Sequence, residues 1–139
     1  MAPLEPAKPS SIRSRVDKYE VQRNARALAM AAGFNALAVE EIVVAVSELA
    51  TNLARYATDG AITLELVDKD GASALRIESV DSGPGLGDID QAVSDGFSTG
   101  GGLGKGFGSI RRTTDLLDVQ SSPAGTRIVA YKWLTRPSS

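Results

Sequence analysis

A long segment of helical hydrophobic period runs straight into two segments of strand period, and this switch constrains the fold more than any other feature. From about Ala36 to Ala57, Ile42, Val46, Leu49, Leu53 and Tyr56 recur at helical spacing, and Asp59-Gly60 ends the pattern. Ile62, Leu64 and Leu66 then alternate with Thr63 and Glu65. Lys69-Asp70-Gly71 is a hairpin turn signal. The returning segment puts Leu75 and Ile77 on one face and Arg76 and Glu78 on the other. A helix with one apolar stripe beside a hairpin with one apolar face predicts two layers packed together.

The rest of the chain extends this plan. Residues 1–9 carry Pro3, Pro6 and Pro9 and read as a disordered leader. Ile12 to Val16 alternates as a short edge strand does. Asp17 is the expected N-cap of a helix that runs to about Ala32 and stops at Gly33. A glycine-rich loop follows from Ser82 to Gly102, with a short helix near Ile89 to Asp95. A further helix starts near Leu103, with Leu103, Phe107, Ile110, Thr114 and Leu117 on one side. Two closing strands, near Asp118 to Ser121 and Thr126 to Trp133, are joined by Pro123-Ala124-Gly125, with Trp133 expected at a sheet edge. The predicted fold is an α+β two-layer sandwich over residues 10–136: a mixed, mostly antiparallel sheet with helices on one face.

Composition narrows the chemistry. A chain of 139 residues, 42% apolar and 23% charged, suits one soluble domain. Its net charge of −2 argues against a sequence-independent grip on nucleic acid. There is no cysteine, which removes disulfides and thiolate chemistry, and no histidine, so acid–base work falls to Asp, Glu, Lys or Tyr. No signal peptide and no membrane-spanning apolar run is seen, and a cytoplasmic location is expected.

Three segments then stand out. Glu48 and Asn52 are four residues apart, one turn apart on a helix face beside the apolar stripe. Asparagine is a mediocre helix former, so its place here asks for a reason. An amide oxygen from Asn52 suits Mg²⁺, which prefers oxygen ligands and takes few from the protein. Glu48 is then placed to orient or deprotonate a hydroxyl. A solvated polar face fits the same residues. In the second segment, Leu75, Ile77, Ser79 and Asp81 share a face, so Asp81 points toward the helices and needs a hydrogen-bond donor. An adenine amino group qualifies, and Gly83 and Gly85 leave room for a flat ring. An Asp-capped turn is the competing reading. The third segment is Gly100, Gly101, Gly102, Leu103, Gly104, Lys105 and Gly106, leading into a helix. Its amides, the helix N-terminus and the Lys105 charge suit phosphates, although a loop without function has similar composition. The segment is not a Walker loop, because Gly106 stands where Ser or Thr belongs. Thr126 opens the last strand near the same sheet end.

In this order the segments resemble the boxes of the Bergerat-fold (GHKL) ATPases, the superfamily of gyrase, histidine kinases and MutL. Glu48 and Asn52 match the first box, Asp81 to Gly85 the second, Gly102 to Gly106 the third, and Gly125-Thr126 the last. The chain most resembles the small anti-sigma-factor serine/threonine kinases, and more narrowly the T-type switch kinase of bacterial stressosomes. Glu48-Leu-Ala-Thr-Asn-Leu-Ala-Arg-Tyr-Ala57, Asp95-Gly-Phe-Ser-Thr99 with Gly102-Leu-Gly104, and Lys132-Trp-Leu134 carry that likeness. Arg55-Tyr56 stands where the W-type members usually carry a histidine.

The resemblance implies Mg-ATP-dependent phosphorylation of a Ser or Thr on a STAS-domain protein. It implies Glu48 as base, Asn52 on Mg²⁺, Asp81 on adenine, and the glycine loop with Lys105 on the phosphates. It also implies a switch in stress signalling to a sigma-factor pathway, with a PP2C-type phosphatase as a downstream partner. The alternative is a nucleotide-gated anti-sigma factor that sequesters a sigma factor. A fragment of a two-component kinase is disfavoured, since the chain has no dimerisation helices and no histidine of its own.

Overall fold

The computed structural model describes residues 9–56, 59–69, 71–82 and 103–134. In chain order these form β1 (Ser10–Ser11), α1 (Arg15–Ala32), α2 (Ala36–Tyr56), β2 (Ala61–Lys69), β3 (Ala72–Asp81), α3 (Leu103–Thr113), β4 (Leu116–Ser122) and β5 (Gly125–Trp133). The short helix expected near Ile89 to Asp95 lies outside the described residues. No described helix is long and apolar enough to cross a membrane.

The start of α1 differs from the sequence expectation. Ser14, with extended backbone, is the N-cap, and its Oγ accepts from the Asp17 amide. Asp17 sits inside the first turn, where its carboxylate accepts from the Arg13 amide at 2.9 Å. A Ser-x-x-Asp pair caps an end reciprocally, and the acidic side chain favours the positive end of the helix. The early start leaves no room for a strand to Val16. β1 pairs only Ser10 with Ile62 and Ser11 with Ala61, and Ile12 then turns into the core with its amide on the Gly60 carbonyl. Gly33 ends α1 as expected. Its φ of 101° is left-handed, and its amide returns to the Ala29 and Met30 carbonyls. Asn35 caps α2 by accepting from the Ala38 amide at 2.8 Å.

The sheet order is β1-β2-β3-β5-β4, and every pairing is antiparallel among the described residues. β3 and β4 run parallel but never pair, because β5 lies between them, so β3, α3 and β4 make a split βαβ unit. β5 is therefore an interior strand; Trp133, expected at a sheet edge, lies at its end, opposite Ala74 of β3 and beyond the β4 pairing, which reaches only Tyr131. Strand order depends on pairing between distant segments, which local alternation cannot reveal. Trp133 ends β5 with its amide on the Asp115 carboxylate at 2.7 Å.

α3 also stops earlier than its hydrophobic spacing suggests. The Thr113 hydroxyl donates to the Ser109 carbonyl at 2.7 Å and the Thr114 hydroxyl to the Ile110 carbonyl at 2.6 Å. Such side chains compete with the backbone ladder, and Leu117 falls in β4. One core joins the layers: Val21, Ala25 and Ala29 of α1, Ile42, Val46, Leu49 and Leu53 of α2, Ile110 of α3, and Ile62, Leu75, Ile77, Ile128 and Ala130 of the sheet. Each large aliphatic side chain buried there contributes about 1.5–3 kcal/mol.

Candidate functional site

The site is built at one end of the sheet, where three elements bring polar groups to the rim of the core. α2 supplies the first. Its inner residues Ala45, Val46, Leu49, Ala50 and Leu53 are buried, and the rotation that seats them carries Asn52 in as well, to 8% exposure. Glu48, one turn earlier, is half-buried. The neighbouring Thr51 is satisfied, its hydroxyl donating to the Ser47 carbonyl at 2.9 Å. Asn52 is not: its side-chain amide nitrogen is buried and has no hydrogen-bond partner among the described residues. A buried polar group left unpaired costs about 1–3 kcal/mol, so a chain that keeps one keeps it for a reason. A side-chain amide carries a donor end and an acceptor end that exchange by a half-turn, so it can meet either a cation or an acceptor.

The sheet supplies the second group. Ser79 is buried on the helix-facing side of β3, and Asp81 follows two residues later on that side, half-buried at the strand end. Across the ladder Asp81 pairs with Thr126, and Thr126 pairs with Ser121. Directly opposed residues of antiparallel strands share a face, so the three stand in a row across β3, β5 and β4. Thr126 is buried, and its Oγ1 lies 3.1 Å from Ser121 Oγ. Beside the row, Gly125 has a φ of 152°, and a Cβ there would fall 2.1 Å from the Asp81 carbonyl oxygen. Only glycine lets the β4–β5 turn close on Asp81 in this way. A cleft of about 350 Å³ opens at this sheet end, lined by Asp81, Ser121, Gly125 and Thr126 and also by Val80, Gln120 and Arg127, which alternate onto the other face of the sheet.

α3 supplies the third. Leu103, Gly104, Lys105 and Gly106 form its first turn rather than a loop, so their amides belong to a helix N-terminus with unsatisfied N–H groups and partial positive charge. α3 packs against α2. Gly83, Gly85, Gly100, Gly101 and Gly102 lie outside the described residues.

Other charged groups serve the scaffold. The Lys132 Nζ sits 3.0 Å from Glu41 and ties β5 to α2, so Glu41 is engaged away from Glu48 and Asn52. On the sheet face away from the described helices, Arg76 and Arg127 both bond Glu78, at 3.0 and 2.7 Å. Burial alone raises the Glu78 carboxyl, but the hydrogen bonds from Arg127 and Arg76 outweigh it and hold the group below its ordinary range. Sequence reasoning missed Ser121, which it read only as strand. The available signal was its spacing from Thr126 around Pro123-Ala124-Gly125, which places the two opposite each other once that turn is a hairpin.

The helix bearing Glu48 and Asn52, the strand ending in Asp81 and the glycine-rich helix N-terminus are the elements on which the comparisons with known proteins bear. The model of the histidine kinase-like ATPase domain family matches residues 12–132. The serine/threonine-protein kinase RsbT of Bacillus subtilis is 42% identical over 110 residues, which is 78% of this chain and 83% of that protein. The chain therefore belongs to the histidine kinase-like ATPase family, and within it to the serine/threonine-protein kinases of the RsbT kind. Solved structures share the fold. The RsbU and RsbW domains of a Mycobacterium tuberculosis protein align at a TM-score of 0.64 and 19% identity, over 96% of this chain and 34% of that one. The histidine kinase domain of a blue-light-activated kinase from Erythrobacter litoralis aligns at 0.54 and 20% identity, over 83% of this chain and 63% of that one.

Proposed function

We propose that the chain transfers the γ-phosphoryl group of ATP to a serine or threonine of a STAS-domain protein and so acts as a switch in bacterial stress signalling. The observation that carries the site assignment is the buried Asn52 amide nitrogen, without a partner among the described residues and one turn from Glu48. Among the described residues no cluster of three His, Cys, Asp or Glu side chains is available to hold a metal. A hard cation bound at this site would draw most of its ligands from phosphate and water, and Asn52 is suited to supply an oxygen from the protein. Bound there, Mg²⁺ would supply charge neutralisation to the phosphates.

The chain's own residues do the rest. Asp81 accepts from the adenine amino group, which sets base identity, with Thr126 beside it. The α3 amides from Leu103 to Gly106 and the Lys105 charge hold the phosphates, together with Gly83, Gly85 and Gly100 to Gly102. Glu48 accepts the hydroxyl proton of the acceptor as its oxygen bonds to the γ-phosphorus and the bond from that phosphorus to the β,γ-bridging oxygen breaks, releasing ADP. In this scheme the partners are a STAS-domain substrate and scaffold, and a PP2C-type phosphatase released or engaged by the switch.

The direct test incubates the protein with Mg-ATP and a purified STAS-domain partner and reads phosphoserine and phosphothreonine by mass spectrometry. Stoichiometric transfer is expected. Normal ATP binding with no transfer, and stable capture of a sigma factor instead, would overturn the kinase reading in favour of an anti-sigma factor. Two substitutions sharpen it. Glu48→Ala is expected to keep ATP affinity while slowing single-turnover transfer by about 10²–10⁴, the usual contribution of a general base. Asp81→Asn offers the adenine amino group a donor at one of two positions, and calorimetric titration should show ATP affinity down by about ten-fold or more, as for a charge-assisted hydrogen bond of about 1.5–3 kcal/mol.

A further inference from the structure

We propose that Ser121 is a positioning residue for base recognition: its hydroxyl donates to Thr126 and so commits the Thr126 proton to the cleft shared with Asp81. The proposal rests on the nucleotide reading given above and adds a residue to it. Ser121 Oγ and Thr126 Oγ1 are 3.1 Å apart, and either can donate. Each hydroxyl has one proton, so the direction of this bond decides what Thr126 offers elsewhere. If Thr126 donates to Ser121, it faces the cleft as an acceptor only. If Ser121 donates, Thr126 keeps its own proton to give. Asp81 stands directly opposite Thr126 in the ladder, and an ionised carboxylate only accepts. A donating Thr126 therefore complements this wall of the cleft, and a second acceptor beside the carboxylate does not.

The burial pattern supports a transmitted effect. Thr126 is buried at 3% exposure, so its hydroxyl has few alternatives, whereas Ser121 is exposed at the cleft rim. Nearby Ser122 is occupied differently, its Oγ accepting from the Ala124 amide within the turn. Ser121 is thus the side chain on β4 that reads across to the buried end of β5.

The experiment measures ATP and GTP affinity by calorimetry, and transfer rate against ATP concentration, for the full chain and four variants: Ser121→Ala, Ser121→Thr, Thr126→Val, and Ser121→Ala with Thr126→Val. Ser121→Ala should weaken ATP about five-fold, as expected for one neutral hydrogen bond, narrow the preference for ATP over GTP, and leave the rate at saturating ATP unchanged. Ser121→Thr retains the hydroxyl and should restore affinity. In the Thr126→Val background Ser121→Ala should have no further effect. An equal loss in that background, a loss that Ser121→Thr fails to restore, or unchanged affinity in Ser121→Ala overturns the assignment. If the unmodified chain binds no ATP, the nucleotide reading itself falls; if it binds ATP and Ser121→Ala matches it, this inference alone falls.

Discussion

Asn52→Leu is expected to make the ligand-free protein more stable and to abolish phosphoryl transfer. The two effects share one cause. In the free chain the Asn52 amide nitrogen is buried at the edge of the α2 core with no partner among the described residues, a condition worth about 1–3 kcal/mol against folding. Leucine has the same branching and number of side-chain heavy atoms, is a better helix former and has nothing to satisfy. Thermal melting of the ligand-free variant should therefore rise by a few degrees, consistent with about 1 kcal/mol in a domain of this size. Transfer should fall by at least about 10²-fold, the scale on which loss of one electrostatic stabiliser slows a reaction. The stabilisation by saturating Mg-ATP seen in the unmodified chain should shrink with it. Were Asn52 only a packing residue, stability and transfer would move together.

Gly125→Ala is expected to damage fold and site at once. A Cβ at this position would lie 2.1 Å from the Asp81 carbonyl oxygen and 3.1 Å from the Asp81 carbonyl carbon and Ser82 Cα, all backbone atoms. The φ of 152° is strained for any side chain. Strain of about 1–3 kcal/mol and overpacking of similar size together predict a loss of about 2–5 kcal/mol, read as a drop in the denaturation midpoint. The backbone that must move is that of Asp81, so ATP affinity should fall even where the variant is still folded. Gly33 supplies the contrast. It is also left-handed, with φ of 101°, but nothing lies within 4 Å of its missing Cβ. Gly33→Ala should cost about 1 kcal/mol and leave ATP affinity intact.

Much of this architecture is legible in the sequence because local rules and tertiary packing agree. The period switch after Tyr56 gives α2 and the β2–β3 hairpin, and Gly33 marks the end of α1. The alternation through Leu75, Ile77 and Ser79 correctly puts Asp81 on the helix side. Other parts depend on contacts that no short window contains. β5 enters the sheet between β3 and β4, so Trp133 does not lie on an edge strand. Thr113 and Thr114 turn their hydroxyls onto their own helix and end α3 before its apolar spacing runs out. Ser14 takes the cap from Asp17, since both residues are good caps and only the entry of Ile12 into the core selects between them. In the site, the spacing of Glu48 and Asn52 indicates a shared face but not that the Asn52 amide is stranded. The row from Asp81 through Thr126 to Ser121 exists only once three strands are in register.

The central claim is that ATP with Mg²⁺ binds where α2, the end of β3 and the start of α3 meet. A crystal structure with Mg²⁺ and a nonhydrolysable ATP analogue tests it most directly. The account predicts the adenine amino group on the Asp81 carboxylate, the metal on the Asn52 side-chain oxygen, and the phosphates at the amides from Leu103 to Gly106. An analogue bound in any other cleft, or one in this cleft with Asn52 and Asp81 both out of contact with it, would contradict the account.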